Sequence, residues 1–380
     1  MIEFNPSRLA LARRRRGLSK TTLAQKTGIS VRSLGYYEST VSHIPPSEEH
    51  VAILAEKLEL PTEFFYGADV EEITTNAASF RSWKTLTASL RDSAITAGTF
   101  AKMVSGWIET RFNLPTPSVP SLRDFEPEAA AHVLRNEWGL GERPIPNMVH
   151  LAESHGVRVF SLPVDSHKVD AFSVMDGDVP FIFLNTKKSA EHSRFDVAHE
   201  LGHLTLHTHT HGPSGTRVAE HQANTFASAF LMPRGDVLGN IPPPSTITVN
   251  AIHSLKKRWV VSAIALVFRL HRLNVLTDWH YRQLCIQLSA THYRSGEADG
   301  MARETSQVFA KVFKSLREDG ITRGKIARDL LITPTDVDSV LTGLIIASVP
   351  KSLGEPEAPP TPALRDKSHL KVVENGRTPS

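Results

Sequence analysis

The sequence has a single cysteine, Cys285, and no long apolar run in its 380 residues. One cysteine can form neither an internal disulfide nor a thiolate zinc site, so any metal must be held by histidine and carboxylate side chains. No stretch approaches the roughly 20 apolar residues of a membrane helix, and no membrane association is expected. Four consecutive arginines at 13–16 stand where a secretory signal would be apolar, so a cytoplasmic protein is expected.

Net charge is also small, because 43 Lys+Arg residues nearly balance 40 Asp+Glu residues. The distribution of charge says more than its sum. Basic residues are concentrated between positions 8 and 32, whereas acidic residues dominate from 48 to 72. A basic segment confined to one region is typical of nucleic-acid binding. The length exceeds that of one ordinary compact core and predicts two or three domains.

The apolar spacing between residues 6 and 66 predicts five short helices and no strand. Ser19 and Ser30 precede the second and third helices as predicted N-caps, with Gly28 in the turn between them. This region resembles the Cro/C1-type helix-turn-helix of the XRE regulator family. The resemblance is carried by Gly17-Leu18-Ser19-Lys20, Leu23-Ala24, Thr27-Gly28-Ile29-Ser30 and Leu34-Gly35-Tyr36-Tyr37-Glu38.

The resemblance implies that the third helix enters the major groove of double-stranded operator DNA, while the second helix begins at the phosphates. Arg32 is the best placed residue for specificity, because a guanidinium group can bind guanine through two hydrogen bonds. Such domains bind paired half-sites, so a homodimer is expected. For the arginines at 13–16, a solvated helix end and a phosphate contact both remain open. The predicted DNA-binding residues are Lys20, Thr21, Ser30, Arg32, Ser33 and Tyr36.

Between this region and the next lie a polar linker at 69–79 and a predicted helical hairpin within 86–112. Three prolines between 114 and 120 exclude a helix or an inner strand and mark a boundary. Beyond 126, the pattern predicts two helices, a small sheet and then further helices. The predicted strands are 157–162, 169–175 and 180–184, and the two helices after them are 190–206 and 218–231.

The first of those two helices contains His199-Glu200-Leu201-Gly202-His203. On a helix, two histidines four residues apart share one face, so both imidazoles can bind one zinc ion with Glu200 beside it. Zinc makes water more acidic, and Glu200 is the candidate general base that takes its proton. Apolar neighbours predict a buried helix, and Gly202 predicts the close approach of another backbone.

A catalytic zinc needs a third protein ligand and an open position for water. Glu220 is preferred as the third ligand, because it lies at the start of the next helix. It shares a helix face with Asn224, which can orient a ligand residue. The histidines in and after the intervening loop remain alternatives. They are His207, His209, His211 and His221.

Residues 194–207, which include the two-histidine motif, resemble the zinc motif of the ImmA/IrrE-type metallopeptidases. Residues 220–233 are similar to that family's E-x-x-A-N-x-F-A-x-x-L-L-M-P signature. The resemblance spans about 126–279 and implies that His199, His203 and Glu220 are the zinc ligands. Known members cleave repressor proteins, which implies a protein substrate of that kind. Asp196 departs from the family, in which threonine or a small residue is usual at this position.

These patterns together predict a multidomain chain in five parts. The parts are an all-α five-helix helix-turn-helix domain (1–68), a linker with a helical hairpin (69–125), an α+β zincin-like metallopeptidase domain with a small sheet (126–290), a helical region (291–349) and a disordered tail (350–380).

Two functions stay open for the zinc domain. In one, it is an endopeptidase that cleaves a repressor; in the other, it is a non-catalytic sensor within a DNA-binding repressor, for example a sensor of a short-chain acyl compound. Cys285 lies in a helical apolar pattern and is expected to be a core residue.

Overall fold

The structure is a computed structural model that describes residues 3–42, 44–74, 79–80, 87–163, 169, 171–207, 217–290 and 300–345, with only the backbone of 79–80. Its first domain is helical and contains no strand within residues 3–42 and 44–74. The elements are α1 (Pro6–Arg15), α2 (Lys20–Thr27), α3 (Val31–Tyr37), α4 (Glu48–Leu58) and a 3-10 helix (Thr62–Tyr66). The prediction of five short helices is confirmed, with the fifth in 3-10 form.

The helix starts of this domain follow from local chemistry. Ser19, Ser30 and Ser47 are the N-caps of α2, α3 and α4, and each side chain accepts a hydrogen bond from a backbone N–H of the first turn. Gly28 ends α2 in the left-handed conformation with φ 74°. Leu23 and Leu34 on the two sides of this turn are fully buried, so capping and burial specify the same geometry.

A single long helix, α5 (Ala88–Glu109), follows the first domain and packs against α1. The predicted helical hairpin is therefore wrong, since the described part of this region contains one helix. Gly98 lies in the middle of this helix, where it allows close packing and does not form a turn. A Cβ atom there would lie 2.9 Å from Ile73 Cδ1 and 3.1 Å from the ring of Phe172, so glycine allows α5 to approach the sheet.

An α+β unit contains four strands, β1 (Ser79–Phe80), which precedes α5 in the chain, β2 (Arg158–Ser161), β3 (Phe172–Asp176) and β4 (Val179–Leu184). They form one sheet in the order β1-β3-β4-β2. The pairs β1–β3 and β3–β4 are antiparallel, whereas β2 and β4 are parallel. The three predicted strands are confirmed, and β1, only two residues long, was too short for a sequence pattern.

Helices surround this sheet on both faces. Neighbouring residues of a strand point to opposite faces, so Phe172 faces α5 while Ser173 faces the helix that contains the histidine motif. One helix was not predicted. The sequence pattern assigns Pro233 only to the end of the preceding helix, but it is also the N-cap residue of a further short helix. The helices are α6 (Pro127–Glu137), α7 (Met148–Ser154), α8 (Ala190–Leu206), α9 (Arg217–Leu231), the unpredicted α10 (Arg234–Asn240), α11 (Val249–Trp259), α12 (Ala263–Arg272) and α13 (Asp278–Ala290).

The described C-terminal residues form α14 (Gln307–Glu318), α15 (Arg323–Leu330) and α16 (Pro334–Ser339), which confirms the predicted helical region. Cys285 on α13 is half-buried against the core, as expected. The predicted disordered tail at 350–380 lies outside the described residues. Among the helices that the structure describes, none has both the length and the hydropathy of a membrane span.

Gly156, at the turn between α7 and β2, gives a test of the fold. Its φ is +79°, and a Cβ atom would lie 2.4 Å from the backbone of Pro117. We expect Gly156→Ala to lower the free energy of unfolding by about 3 kcal/mol, because left-handed strain and overpacking add. Gly177→Ala is the control, since Gly177 has φ +56° but open space around it, and we expect a loss of about 1 kcal/mol. Equal losses in denaturant unfolding would contradict this account.

Candidate metal centre and DNA-binding surface

Three potential metal ligands converge between α8 and α9. Ligand atoms of His199, His203 and Glu220 all lie within 4.8 Å of one another. The Nε2 atoms of the two histidines are 3.1 Å apart. The carboxylate oxygens of Glu220 lie 3.3 Å from His199 Nε2 and 3.4 Å from His203 Nε2. Both imidazoles are almost completely buried, so the three side chains face one point inside the domain.

The carboxylate of Glu220 shows that this donor set fits a cation. Both of its oxygens are buried and make no hydrogen bond of good geometry within the described structure. Burial opposes ionisation, but His199 and His203 outweigh it and lower the pKa of Glu220. A buried ionised carboxylate facing two imidazole nitrogens is a ligand set that zinc prefers, and three protein ligands leave a position for water.

The other ring nitrogen of each histidine is also bound. His199 Nδ1 lies 3.1 Å from Asn224 Oδ1, and His203 Nδ1 lies 3.0 Å from His207 Nδ1. Because the Nε2 atom of His203 faces the centre as an acceptor, its Nδ1–H donates to His207. The Nε2–H of His207 then donates to Gln222 Oε1 at 3.0 Å. Burial lowers the pKa of His207 and favours the neutral ring that this arrangement needs.

Of the alternative ligands, His207 and His221 lie within the described residues. His207 contacts the far side of the His203 ring, where it can orient that ring but does not face the centre. His221 is exposed on α9, and His209 and His211 lie outside the described residues. Among the described histidine and acidic residues, the group that could hold a metal is therefore the one that contains Glu220.

Glu200 lies next to His199 on α8 and is almost fully buried. Its Oε2 atom accepts a hydrogen bond of 2.7 Å from Ser173 Oγ on β3. This bond holds the carboxylate in one orientation. Sequence reasoning missed Ser173; the available signal was a polar residue between apolar Phe172 and Val174 in a predicted strand.

Two further residues of α8 were singled out from the sequence. A Cβ atom on Gly202 would lie 3.3 Å from the backbone Cα of Ala223, which confirms the predicted close approach of another backbone. The absence of this side chain lets α8 and α9 pack closely enough for Glu220 to reach the histidines. Asp196 is buried one turn before Glu200, with its carboxylate 3.4 Å from His192 Nε2.

The predicted DNA-binding residues lie at the start of α2 and along α3. Arg32 is exposed and Tyr36 is half-buried, and Arg32 Nη2 lies 3.3 Å from Tyr36 Oη. Ser30 caps α3 by accepting a hydrogen bond of 3.0 Å from Ser33 N. At the start of α2, Thr21 is exposed, and Lys20 Nζ lies 3.3 Å from Glu38 Oε2.

The arginines at 13–16 are all bound within the chain. Arg13 makes two hydrogen bonds to Glu38, of 2.6 and 2.9 Å. Arg14 binds Glu72 at 2.8 Å, and Arg16 donates to the carbonyl of Leu58 at 2.7 Å. Arg15 is buried and binds Asp336 at 3.1 Å. The run is thus used for internal ion pairs and backbone contacts.

Comparison with known protein families matches both parts of the chain. Residues 9–65 match the family model described as helix-turn-helix, and residues 152–271 match the one described as IrrE N-terminal-like domain. No curated protein matches the chain. The second match begins in α7, reaches into α12 and includes every residue of the candidate metal centre. The chain therefore has the architecture of an XRE-type helix-turn-helix regulator joined to an ImmA/IrrE-type metallopeptidase domain.

Proposed function

We propose that this protein is a cytoplasmic transcription regulator that binds operator DNA as a homodimer and whose zinc-dependent endopeptidase domain cleaves a repressor protein. The observation that carries the proposal is the convergence of His199, His203 and Glu220 beside the buried carboxylate of Glu200. The same chain presents α3, with Arg32 exposed, for DNA recognition.

Each residue of the centre has a defined part in peptide hydrolysis. His199, His203 and Glu220 would hold zinc, which would supply Lewis-acid chemistry to polarise a peptide carbonyl and to acidify water. Glu200 takes the proton of the attacking water and passes it to the leaving amine. Ser173 holds the Glu200 carboxylate in place for this transfer. Asn224 and His207 keep the two ligand rings oriented.

On the DNA side, α3 is proposed to enter the major groove with Arg32 and Ser33 at base edges and Tyr36 beside them. Ser30, Thr21 and Lys20 stand at the helix starts, where backbone N–H groups and side chains contact phosphate. One helix-turn-helix reads one half-site, so a second copy of the chain is needed to read a two-fold symmetric operator.

A sensor function would use the same ligands without the chemistry of Glu200. The two functions separate in cells that carry a reporter behind an operator obtained by selection in vitro. We expect Arg32→Ala to weaken operator binding about tenfold to hundredfold and to abolish control of the reporter. We expect Glu200→Gln to bind the operator like the parent.

Sequencing of newly formed protein N-termini in the same cells completes the experiment. With the parent, we expect new N-termini within a DNA-binding protein, and with Glu200→Gln we expect none. If both proteins give the same reporter output and the same set of N-termini, the zinc domain is a sensor. Unchanged operator specificity in Arg32→Ala would contradict the assignment of α3.

A further inference from the structure

The three C-terminal helices repeat the spacing of helix ends and N-caps found in α1–α3. Helices α1 and α14 end at residues 15 and 318, and α2 and α15 each contain 8 residues. Thr322 and Thr333 are the N-caps of α15 and α16, separated by the same interval as the N-caps Ser19 and Ser30. Every equivalent position is 303 residues further along the chain.

The turns and the core agree with this equivalence. Gly17 and Gly320 both have positive φ, of 64° and 69°. Gly28 is matched by Leu331, which adopts φ 57° although a left-handed leucine costs about 1 kcal/mol. The apolar residues that pack the first unit recur in the second. The pairs are Leu23 and Ile326, Ala24 and Ala327, Ile29 and Ile332, and Leu34 and Val337.

The second unit differs from the first in the surface of its last helix. Where α3 has Arg32 and Ser33, α16 has Thr335 and Asp336. Asp336 is 1% exposed and lies 3.1 Å from Arg15 Nη2. A buried carboxylate at a base-reading position opposes the approach of DNA phosphates, so this helix needs a basic partner.

That partner is the DNA-binding domain of the same chain. Arg15 at the end of α1 forms an ion pair with Asp336 and also donates a hydrogen bond of 3.0 Å to Ser339 Oγ. Arg16 Nη1 lies 3.6 Å from Asp336. On α5, Trp107 Nε1 donates to Asp329 Oδ2 at 3.1 Å. The unit thus contacts the end of α1 through ion pairs with Asp336 and contacts α5 through the hydrogen bond from Trp107.

The residues just beyond Ser339 bind the sheet of the metal domain. The carbonyl of Val340 accepts a hydrogen bond of 2.8 Å from Ser161 N on β2. The carbonyl of Thr342 accepts a hydrogen bond of 3.0 Å from Thr186 Oγ1. Residues 336–342 therefore touch the DNA-binding domain on one side and the metal domain on the other.

We propose that residues 307–344 are a second helix-turn-helix unit that binds the chain's own DNA-binding domain in place of DNA. It fixes the orientation of α1–α4 relative to the metal domain. In a dimer, this docking sets the direction in which the two α3 helices are presented to their half-sites.

Hydrogen exchange of the full-length protein, followed by mass spectrometry, tests the docking. Arg15→Met removes the group that Asp336 and Ser339 bind, but leaves Asp336 in its hydrogen bond with Thr333 at the start of α16. We expect amides of α1 and α16 to exchange about tenfold faster. Arg14→Met is the matched control on the same helix, because Arg14 binds Glu72 and not the second unit. In Arg14→Met, the backbone amides of α16 should exchange at the rates of the parent protein.

Asp336→Asn tests the same contact from the other side, so the result does not depend on the folding of one variant. Parental exchange rates in α1 and α16 of both variants would overturn the docking. The same measurement on the parent with mixed-sequence duplex DNA at low salt tests the partner. We expect protection of α3 but not of α16, and protection of α16 by DNA would overturn the proposal.

Discussion

Glu220→Gln is expected to lower the zinc affinity of the protein by about a thousandfold or more. In the proposed centre, the change replaces the one anionic ligand by a neutral amide oxygen, which is a much weaker ligand for zinc than a carboxylate. Loss of a ligand costs more than the roughly 10–100-fold effect of changing a residue that merely orients one. The measurements are the zinc content of the purified protein and the competition for zinc with a chromogenic chelator.

Three variants on the same two helices serve as references. His221→Ala, next to Glu220 but exposed, should bind zinc like the parent. Asn224→Ala and His207→Ala should fall between, with affinity about 10–100-fold lower, because each only orients a ligand ring. Full zinc binding in Glu220→Gln together with loss in His207→Ala would mean that His207 is the third ligand.

Glu200→Gln is expected to reduce peptide cleavage by about a thousandfold while zinc binding stays at the parental level. Glutamine keeps the shape of the side chain and can still accept a hydrogen bond from Ser173, but it cannot take a proton from water. General base catalysis contributes about 10²–10⁴ in rate. The measurement is kcat/KM on fluorescently labelled unfolded casein, with the zinc content determined on the same sample.

Ser173→Ala should have a smaller effect on cleavage than Glu200→Gln. It leaves Glu200 in place but removes the 2.7 Å hydrogen bond to its carboxylate, so a loss of about tenfold in kcat with unchanged zinc is expected. Cleavage by Glu200→Gln at the parental rate would exclude Glu200 as the base, whatever the effect of Ser173→Ala.

Local chemistry explains why much of the fold could be predicted. Ser19, Ser30 and Gly28 define helix ends through groups within three residues of themselves, so the first domain is readable from neighbouring positions. The interval between His199 and His203 places both rings on one helix face in the same way. The position of Glu220 was inferred from the start of a helix, and the structure brings it to the two rings.

Where packing between distant segments decides the conformation, prediction was less successful. Gly98 lies within an apolar pattern that also suits a hairpin, and only contact with Ile73 and Phe172 shows why glycine stands in a continuous helix. The bond between Ser173 and Glu200 joins residues on a strand and a helix 27 positions apart. No spacing rule connects such positions.

The sequence by itself determined the helix starts and turns, the two-histidine face and the family of each main domain, because these depend on residues close together in the chain. Only the tertiary structure decided that the arginines at 13–16 bind within the chain, that His207 contacts His203, and that Asp336 pairs with Arg15. Each of these contacts depends on which buried surfaces meet when the chain packs. That outcome is set by the whole core and by the pairing of buried charges, which no local pattern encodes.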